Sequence, residues 1–494
     1  MSIQQISKSE YIMYLKHPAW LWLKKHAKNL LPPIDPATQA IFDTGHAFEQ
    51  YAEALYPGGV TLGFSDYDEY ITLPARTTLA IESGEHTIFQ GRFEHEQLTF
   101  ICDIIQVVGD KELDLIEIKS STSAKPEHIV DLAFQMVVLE KCGYNVRNIS
   151  VIHVNNQYVR SGPIDPKQIT AVTDVTEEVK NTREFTLSKI DEALQTMALT
   201  ECPDTSPLLA EKAAFGEWLT IYKRLKNVKS GSIFDLCQMD AKTLQSLQDS
   251  NITKIKDIPS NFVLKPKQSL QVEAYRMGKP TIHKEKIKEF LDSLVYPLHF
   301  FDYETLASLV PYFDGMRPYA QYPFQYSLHI QDAPDATLRH EEYLHRENSN
   351  PAASVIAAMQ SHFGDKGSVI AWNMGFEKSC NNTLMHFAPE AAEFLADINN
   401  RMVDLMVPFS QNYYVDADFC GSASIKSVLP VLVPELSYKT LDIQEGGTAQ
   451  RLWMEAALDG KHPDEKEKIF SDLVEYCKLD TLAMVEIYNI LKKI

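Results

Sequence analysis

The sequence predicts an α/β protein of more than one domain, on three observations. Apolar or alternating runs of strand length recur at 87–91, 98–108, 113–119, 148–154, 298–305, 324–329 and 368–373, with helix-patterned segments between them. A chain of 494 residues, 45% hydrophobic and 23% charged, has an ordinary globular composition and enough length for two or three cores. A lysine-rich, helix-patterned stretch separates the two groups of strands, so the expected division is 1–200, 201–290 and 291–494.

Composition and charge narrow the function classes. No apolar run is long enough to span a bilayer, and Met1-Ser2-Ile3-Gln4-Gln5 lacks the basic-then-apolar layout of a signal peptide. Seven cysteines occur without a Cys-x-x-Cys pair, which indicates neither a disulfide framework nor a zinc ribbon. The expectation is a cytoplasmic protein with reduced thiols and no membrane partner. The net charge of −20 argues at first against a nucleic-acid partner, but it is unevenly spread. Residues 1–30 hold five Lys and one Glu, and residues 211–290 hold fifteen Lys plus Arg against nine Asp plus Glu. Local basic surface sets phosphate attraction, whereas solvated helix faces are the plainer reading of the same charges.

Taken in order, residues 7–30 read as two short helices broken at Pro18, with Ser7 as a cap and Glu10 three residues later. A further helix runs from Pro36 or Ala37 to Tyr56 and places Gly45, His46 and Glu49 on adjacent turns. Three strands follow, Thr87 to Gly91, Leu98 to Val108 and Leu113 to Lys119, the last two joined by a turn at Gly109-Asp110-Lys111-Glu112. This puts Asp103 on one strand and Glu117 with Lys119 on one face of the next. Asp103 and Glu117 can hold a hard cation through oxygen, and Lys119 can orient water or stabilise charge on a phosphoryl group. Exposed strands also carry Glu and Lys routinely, but Glu117 sits between Ile116 and Ile118 in an apolar run. A helix from about Pro126 to Cys142 carries Gln135 on its inner face, and a strand from Asn148 to Val154 follows.

Strand, turn, strand, helix with Gln, strand: this layout resembles the core of the PD-(D/E)XK nucleases, nearest to the RecB-like branch that includes CRISPR-associated adaptation nucleases. The resemblance covers roughly residues 1–200. It implies a metal-dependent nuclease site made of Glu49 (or His46), Asp103, Glu117, Lys119 and Gln135. Many RecB-like relatives also hold an iron–sulfur cluster through Cys-Pro and three later cysteines. Here the first position reads His17-Pro18, and only Cys202 and Cys237 follow in that region. Four thiolates are the usual requirement, so no cluster is expected.

Residues 166–198 and 208–226 read as helical. The segment 232–264, with Leu244, Leu247, Ile252, Ile255 and Ile258 around Asn251, loosely resembles a helix-hairpin-helix module, and a small helical linker is the alternative. Lys254, Lys256, Lys265 and Lys267, with Lys284, Lys286 and Lys288 beyond, would supply sequence-blind phosphate contacts there.

In the last part, Leu298-His299-Phe300-Phe301-Asp302-Tyr303-Glu304-Thr305 reads as a buried strand whose Asp302 and Glu304 share a face. Two carboxylates there are costly to keep ionised unless a cation joins them, the alternative being a strand end whose acids reach water. Further on come Asn373-Met374-Gly375-Phe376-Glu377, then Asp404, then a final helix from Ile469 to Lys492 on which Tyr476 and Asp480 share a face.

Asp-x-Glu, Asn-x-x-Phe-acid and Tyr-x-x-x-Asp resemble, in order, the three motifs of the DnaQ-like 3′–5′ exonucleases in their DEDDy form. This implies a ribonuclease-H-like fold over residues 291–494. By the same resemblance Asp302, Glu304, Glu377 and Asp480 hold two Mg²⁺ or Mn²⁺ ions, and Tyr476 positions or deprotonates the attacking water. The middle motif usually ends in Asp, so Glu377 departs from the pattern and Asp404 is a supplementary acid. The two halves together resemble a bacterial family that joins a RecB-like nuclease to a DnaQ-like exonuclease in one chain. The expectation is a metal-dependent nuclease acting on DNA or RNA, with a nucleic-acid-binding scaffold of inactive nuclease folds as the alternative.

Overall fold

The structure, a computed structural model, describes residues 4–33 and 36–494, with only the backbone of 36–44. The chain is α/β and divides into two compact units, Met1–Val228 with Leu309–Pro318, and Lys229–Ser308 with Tyr319–Ile494. The expected separate linker at 201–290 is therefore shared out. Residues 201–228 belong to the first unit and 229–290 to the second.

The first unit opens with two helices, α1 (Lys8–Lys16) and α2 (Pro18–His26). Ser7 and Glu10 form a capping box on α1, and Pro18 occupies the first position of α2, where its missing N–H costs nothing. After α3 (Pro36–Glu53) come β1 (Ile104–Gly109), β2 (Glu112–Lys119), α4 (Pro126–Lys141), β3 (Asn145–Val154) and β4 (Thr170–Asp174). They form the larger part of a six-stranded sheet in which β1 and β2 are antiparallel, β2 and β3 parallel, and β3 and β4 antiparallel. The strand β2 is buried on both faces. Leu113 and Leu115 pack with Leu132, Phe134 and Val138 of α4, while Ile116 and Ile118 pack with Phe48 and Ala52 of α3. Each of these Leu, Ile, Val and Phe side chains contributes ~1.5–3 kcal/mol of transfer free energy. By the two-residue period Glu117 falls on the face of Leu113 and Leu115, toward α4.

Two expectations are corrected here. The single strand expected at 98–108 is broken at Cys102 and Asp103, because the chain changes sheets there. Leu98–Ile101 pairs with Arg92–His95 and Ile6–Ser7 in a three-stranded sheet, and β1 enters the larger one. Hydrogen bonds from Cys102 N to Gly91 O and from Gln90 N to Asp103 O pin the break. The helix expected over 166–198 is interrupted: Pro166–Ile169 is followed by β4, whose Thr170 and Val172 suit an edge strand better than a helix, and Thr176–Asn181 and Arg183–Met197 then resume it.

The second unit begins with α5 (Ala241–Asp249) and, after the three-residue turn Ile255–Asp257, α6 (Pro266–Met277) and α7 (Lys284–Asp292). The apolar stripe Leu244, Leu247, Ile252, Ile255, Ile258 is buried as the spacing predicts, and Asn251 takes the left-handed turn at φ 55°. A second helix does not follow the hairpin directly, so the helix-hairpin-helix likeness ends at the turn.

The main sheet runs β7-β6-β5-β8-β9, where β5 is Leu298–Leu306, β6 Tyr322–Gln331, β7 Arg339–Leu344, β8 Val369–Ala371 and β9 Met402–Asp404. β5, β6 and β7 are antiparallel, and β5, β8 and β9 parallel. One face is covered by helices that include α8 (Gly375–Phe387), with Phe301, Tyr303, Tyr326 and Leu328 in that core. The other face carries Phe300, Asp302 and Glu304 toward α10 (Lys466–Lys492), where the Phe300 ring lies 5.6 Å from that of Tyr488. The segment α9 (Ile425–Leu432) lies between β9 and α10 in sequence. Among the described residues no helix is long and apolar enough to cross a membrane.

Candidate metal centres

Each unit gathers charged side chains from separate elements at the end of a central strand. In the first unit Glu117, 1% exposed, is the hub. Its Oε1 accepts from Lys119 Nζ at 2.7 Å and from Lys8 Nζ at 2.8 Å, and its Oε2 accepts from Gln135 Nε2 at 2.9 Å. Lys119 also donates to Asp131 Oδ2 at 2.8 Å. Asp103, released from strand geometry by the sheet change, turns its Oδ2 to the Ile118 amide at 2.7 Å. Glu49 on α3 is half-buried, and of the charges that reach it that of His46 acts most, followed by Glu117 and Lys8. The structure thus brings together Glu49, Asp103, Glu117, Lys119 and Gln135, while His46 is exposed.

The electrostatics follow from this crowding. Burial and the Glu117 charge push Asp103 up to about 7. Glu117 goes the other way: burial disfavours its charge, but Lys8 and Lys119 hold it well below the usual carboxylate range. Burial opposes the charges of Lys8 and Lys119 too, and Glu117 with its acidic neighbours holds both above the usual lysine range.

A cation fits this cup in part. Among the described residues Gln135 Oε1 is buried without a hydrogen-bond partner and the carboxylates converge, yet two ammonium groups already share Glu117 Oε1. Lys8 and Asp131 are the residues the sequence did not yield. Asp131 stands four residues before Gln135 on one helix face and was legible in principle. Lys8 lies 109 residues from Glu117, beyond any local pattern. At the His17-Pro18 position, His17 Nδ1 accepts from Ala19 N, its Nε2 meets Ser206 O, and the ring stacks on Trp218 at 3.8 Å. Both nitrogens are engaged in structure.

In the second unit Asp302 and Glu304 share the face of β5 that meets α10. One oxygen from each and the Sγ of Cys477 lie within 4.8 Å of one another. Asp480 sits beside them with its Oδ1 accepting from the Tyr438 hydroxyl at 2.6 Å. Burial raises Asp302 well above its ordinary value, and the charges of Asp480, Glu377 and Glu304 raise it further. Burial, then Asp480, raises Glu304 likewise, with Lys426 acting the other way. Asp480 stands at about 6, pushed up by burial and restrained by Tyr438 and Lys426. Glu377, in the first turn of α8, is pushed up to about 8 by burial and by Asp404. Asp302 is thus the common neighbour of Glu304, Glu377 and Asp480, and Asp480 also acts on Glu304.

Orphaned atoms test whether a cation suits them. Among the described residues Glu377 Oε2 and Gln325 Oε1 are buried without a hydrogen-bond partner, and Gln325 is the cross-strand partner of Glu304. Divalent cations suit such a donor set of clustered, partner-poor oxygens. Asp404 is a weaker candidate, since its Oδ1 caps the amides of Asn373 and Met406 at 2.9 Å each. Tyr476 lies near Asp480, Glu304 and Asp302, and its ring is 6.1 Å from that of Tyr438. Lys426 Nζ lies 5.7 Å from the Tyr438 ring and 6.0 Å from the Tyr476 ring. Sequence reasoning missed Tyr438, Lys426 and Cys477. Cys477 was within reach, three residues before Asp480, whereas Tyr438 sits in an irregular turn without a pattern.

The lysines expected to bind nucleic acid lie near the start of the second unit. Lys254 and Lys256 are exposed about the Ile255–Asp257 turn, and Lys267 is partly exposed. Lys265 donates to Gln238 O at 2.7 Å and pairs with Asp240 at 2.6 Å. Lys286 and Lys288 pair with Glu289 and Asp292 of their own helix.

Residues 299–424 match a domain of unknown function, DUF2779. The chain is 25% identical over 313 residues to the "Uncharacterized protein MG366 homolog" of Mycoplasma pneumoniae, covering 58% of this chain and 44% of that protein. It is 24% identical over 300 residues to "Uncharacterized protein UU173" of Ureaplasma parvum, covering 55% and 42%. The chain thus spans less than half the length of the curated relatives it matches.

Proposed function

We propose that the protein is a metal-dependent nuclease of DNA or RNA, with a 3′–5′ exonuclease site in the second unit and a PD-(D/E)XK-type site in the first. The second unit then corresponds to a DnaQ-like, ribonuclease-H-like domain and the first to a RecB-like one. The observation that carries the reading is the convergence of Asp302, Glu304, Glu377 and Asp480. They come from β5, α8 and α10, far apart in sequence, the other three all act on Asp302, and among the described residues no donor reaches Glu377 Oε2; this supports the reading.

These four would hold Mg²⁺ or Mn²⁺, which neutralises charge on a phosphoryl group and acidifies water. The chain's own residues supply the rest. Tyr438 fixes the Asp480 carboxylate through a 2.6 Å hydrogen bond, Tyr476 offers a hydroxyl beside the same acids to orient water, and Lys426 brings a positive charge to the rim. The ring of Phe376, 36% exposed next to Glu377, offers a face on which a terminal base can stack. In the first unit Asp103 and Glu117 would hold the metal and Lys119 would meet phosphoryl oxygens, while Gln135 fixes Glu117 and Asp131 fixes Lys119.

The test is shortening of end-labelled single and double strands under Mg²⁺ or Mn²⁺ and under EDTA. Asp302→Asn and Asp480→Asn should each abolish stepwise trimming, and Lys119→Ala a separate cleavage. Wild-type behaviour of all three variants would end the proposal. For the first unit a second reading has an observation in its favour: Lys8 and Lys119 both sit on Glu117 Oε1, so this unit would bind nucleic acid without cutting it. Binding with no cleavage lost in Lys119→Ala would select that reading.

A further inference from the structure

Cys477 stands inside the donor cup of the second unit. Its Sγ and one oxygen each from Asp302 and Glu304 lie within 4.8 Å of one another. Two donors at ~2.0–2.3 Å from one zinc-class ion are at most ~4.6 Å apart, so small side-chain movements bring all three onto a single ion. The contact this thiol makes is weak, 3.9 Å to the Asp302 carbonyl oxygen. Glu377 gives a second, independent indication of a cation at this spot. It is 2% exposed, its Oε2 has no hydrogen-bond partner among the described residues, and its charge is among those that act on Asp302. A buried carboxylate oxygen without a donor is costly, and a cation relieves that cost.

We propose that one ion of this site is held by Asp302, Glu304 and the Cys477 thiolate, and that this position therefore binds zinc-class ions (Zn²⁺, Co²⁺) more tightly than the Mg²⁺ or Mn²⁺ that the same carboxylates take in their absence. The inference rests on reading the second unit as a divalent-cation site, and it adds a sulfur donor to the all-oxygen set implied by the sequence resemblance. Thiolate suits Zn²⁺ and Co²⁺, whereas Mg²⁺ takes oxygen and keeps several waters. Binding breaks the Cys477 S–H bond, forms a sulfur–metal bond and releases the proton to solvent. Glu377 and Asp480 remain for a second ion or for water.

The experiment is a cobalt titration of the full-length metal-free protein, followed by absorption. Wild type should develop a sulfur-to-cobalt charge-transfer band with the first equivalent of Co²⁺. The band should be lost in Cys477→Ser and Asp302→Asn, displaced by Zn²⁺ or Cd²⁺, and unmoved by a hundredfold excess of Mg²⁺. X-ray absorption on the wild type needs no variant and should show one sulfur neighbour at ~2.3 Å. Cobalt bound through oxygen and nitrogen alone, a band that persists in Cys477→Ser, or displacement by Mg²⁺ would overturn the proposal. None of these readouts depends on strand cleavage, so sulfur ligation can fail while the nuclease reading stands or falls on its own assay.

Discussion

Lys8 occupies the Glu117 oxygen that a cation would use, and replacing it with methionine exposes the competition. The Lys8 side chain is 25% exposed, and its Nζ lies 2.8 Å from Oε1 of Glu117, whose side chain is 2% exposed. A hydrogen bond to a charged group is worth ~1.5–3 kcal/mol net. Lys119 at 2.7 Å and Gln135 at 2.9 Å still hold Glu117 in the variant, which places the loss at the lower end, ~1.5 kcal/mol. The same free energy is what an incoming divalent ion expends in displacing the ammonium. Lys8→Met should therefore lower the metal-free stability of the first unit by ~1.5 kcal/mol and tighten its Mn²⁺ affinity by about tenfold. Calorimetric titration in an Asp302→Asn/Asp480→Asn background isolates this site. Mn²⁺ affinity equal to or weaker than that of the parent would refute the competition.

Tyr438→Phe removes the 2.6 Å donor to Asp480 and should reduce metal-dependent trimming by about tenfold to a hundredfold, read as kcat/KM, since ~1.5–3 kcal/mol rides on a charge-assisted bond. The pH dependence has a definite sign. Asp103 at about 7, Asp480 at about 6 and Glu377 at about 8 hold protons that the unfolded chain has already lost, so metal-free stability should fall as pH rises from ~4 to ~8. Mn²⁺ should reverse that fall, and melting temperatures with Mn²⁺ and with EDTA across this range check both halves. Glu117, whose value is depressed, stabilises above the ordinary carboxylate value and loses that contribution only at lower pH. Gly421→Ala should destabilise the second unit by ~2–4 kcal/mol in urea unfolding. Gly421 has φ +70°, and an added Cβ would meet Cys237 Cβ at 2.0 Å, which also tests that residues 229–290 fold with this unit.

Much of this was legible because local periodicity carried it. The Ser7–Glu10 cap, the break at Pro18, the Gly109–Glu112 turn and the β2–α4–β3 crossover each follow from spacing and residue type. So does the shared face of Asp302 and Glu304, fixed by the two-residue period of a strand whose other face is Phe301 and Tyr303. What stayed hidden depends on pairings distant in sequence. The sheet change at Cys102 and Asp103 is set by Gln90 and Gly91 on a neighbouring segment, and no pattern within 98–108 encodes it. Lys8 reaches Glu117, and Tyr438 reaches Asp480, from elements whose placement is decided by tertiary packing. Residues 201–290 misled because lysine-rich helix faces resemble a linker, while Leu244, Leu247, Ile252 and Ile258 belong to a buried stripe of the second unit.

Anomalous scattering from crystals soaked in Mn²⁺ tests the central claim most directly, because it locates cations without reference to activity. A peak bound by the Asp302 and Glu304 carboxylates, within reach of Glu377 or Asp480, is the predicted result. Manganese absent from that cup at saturating concentration, with the four carboxylates unchanged in position, would contradict it.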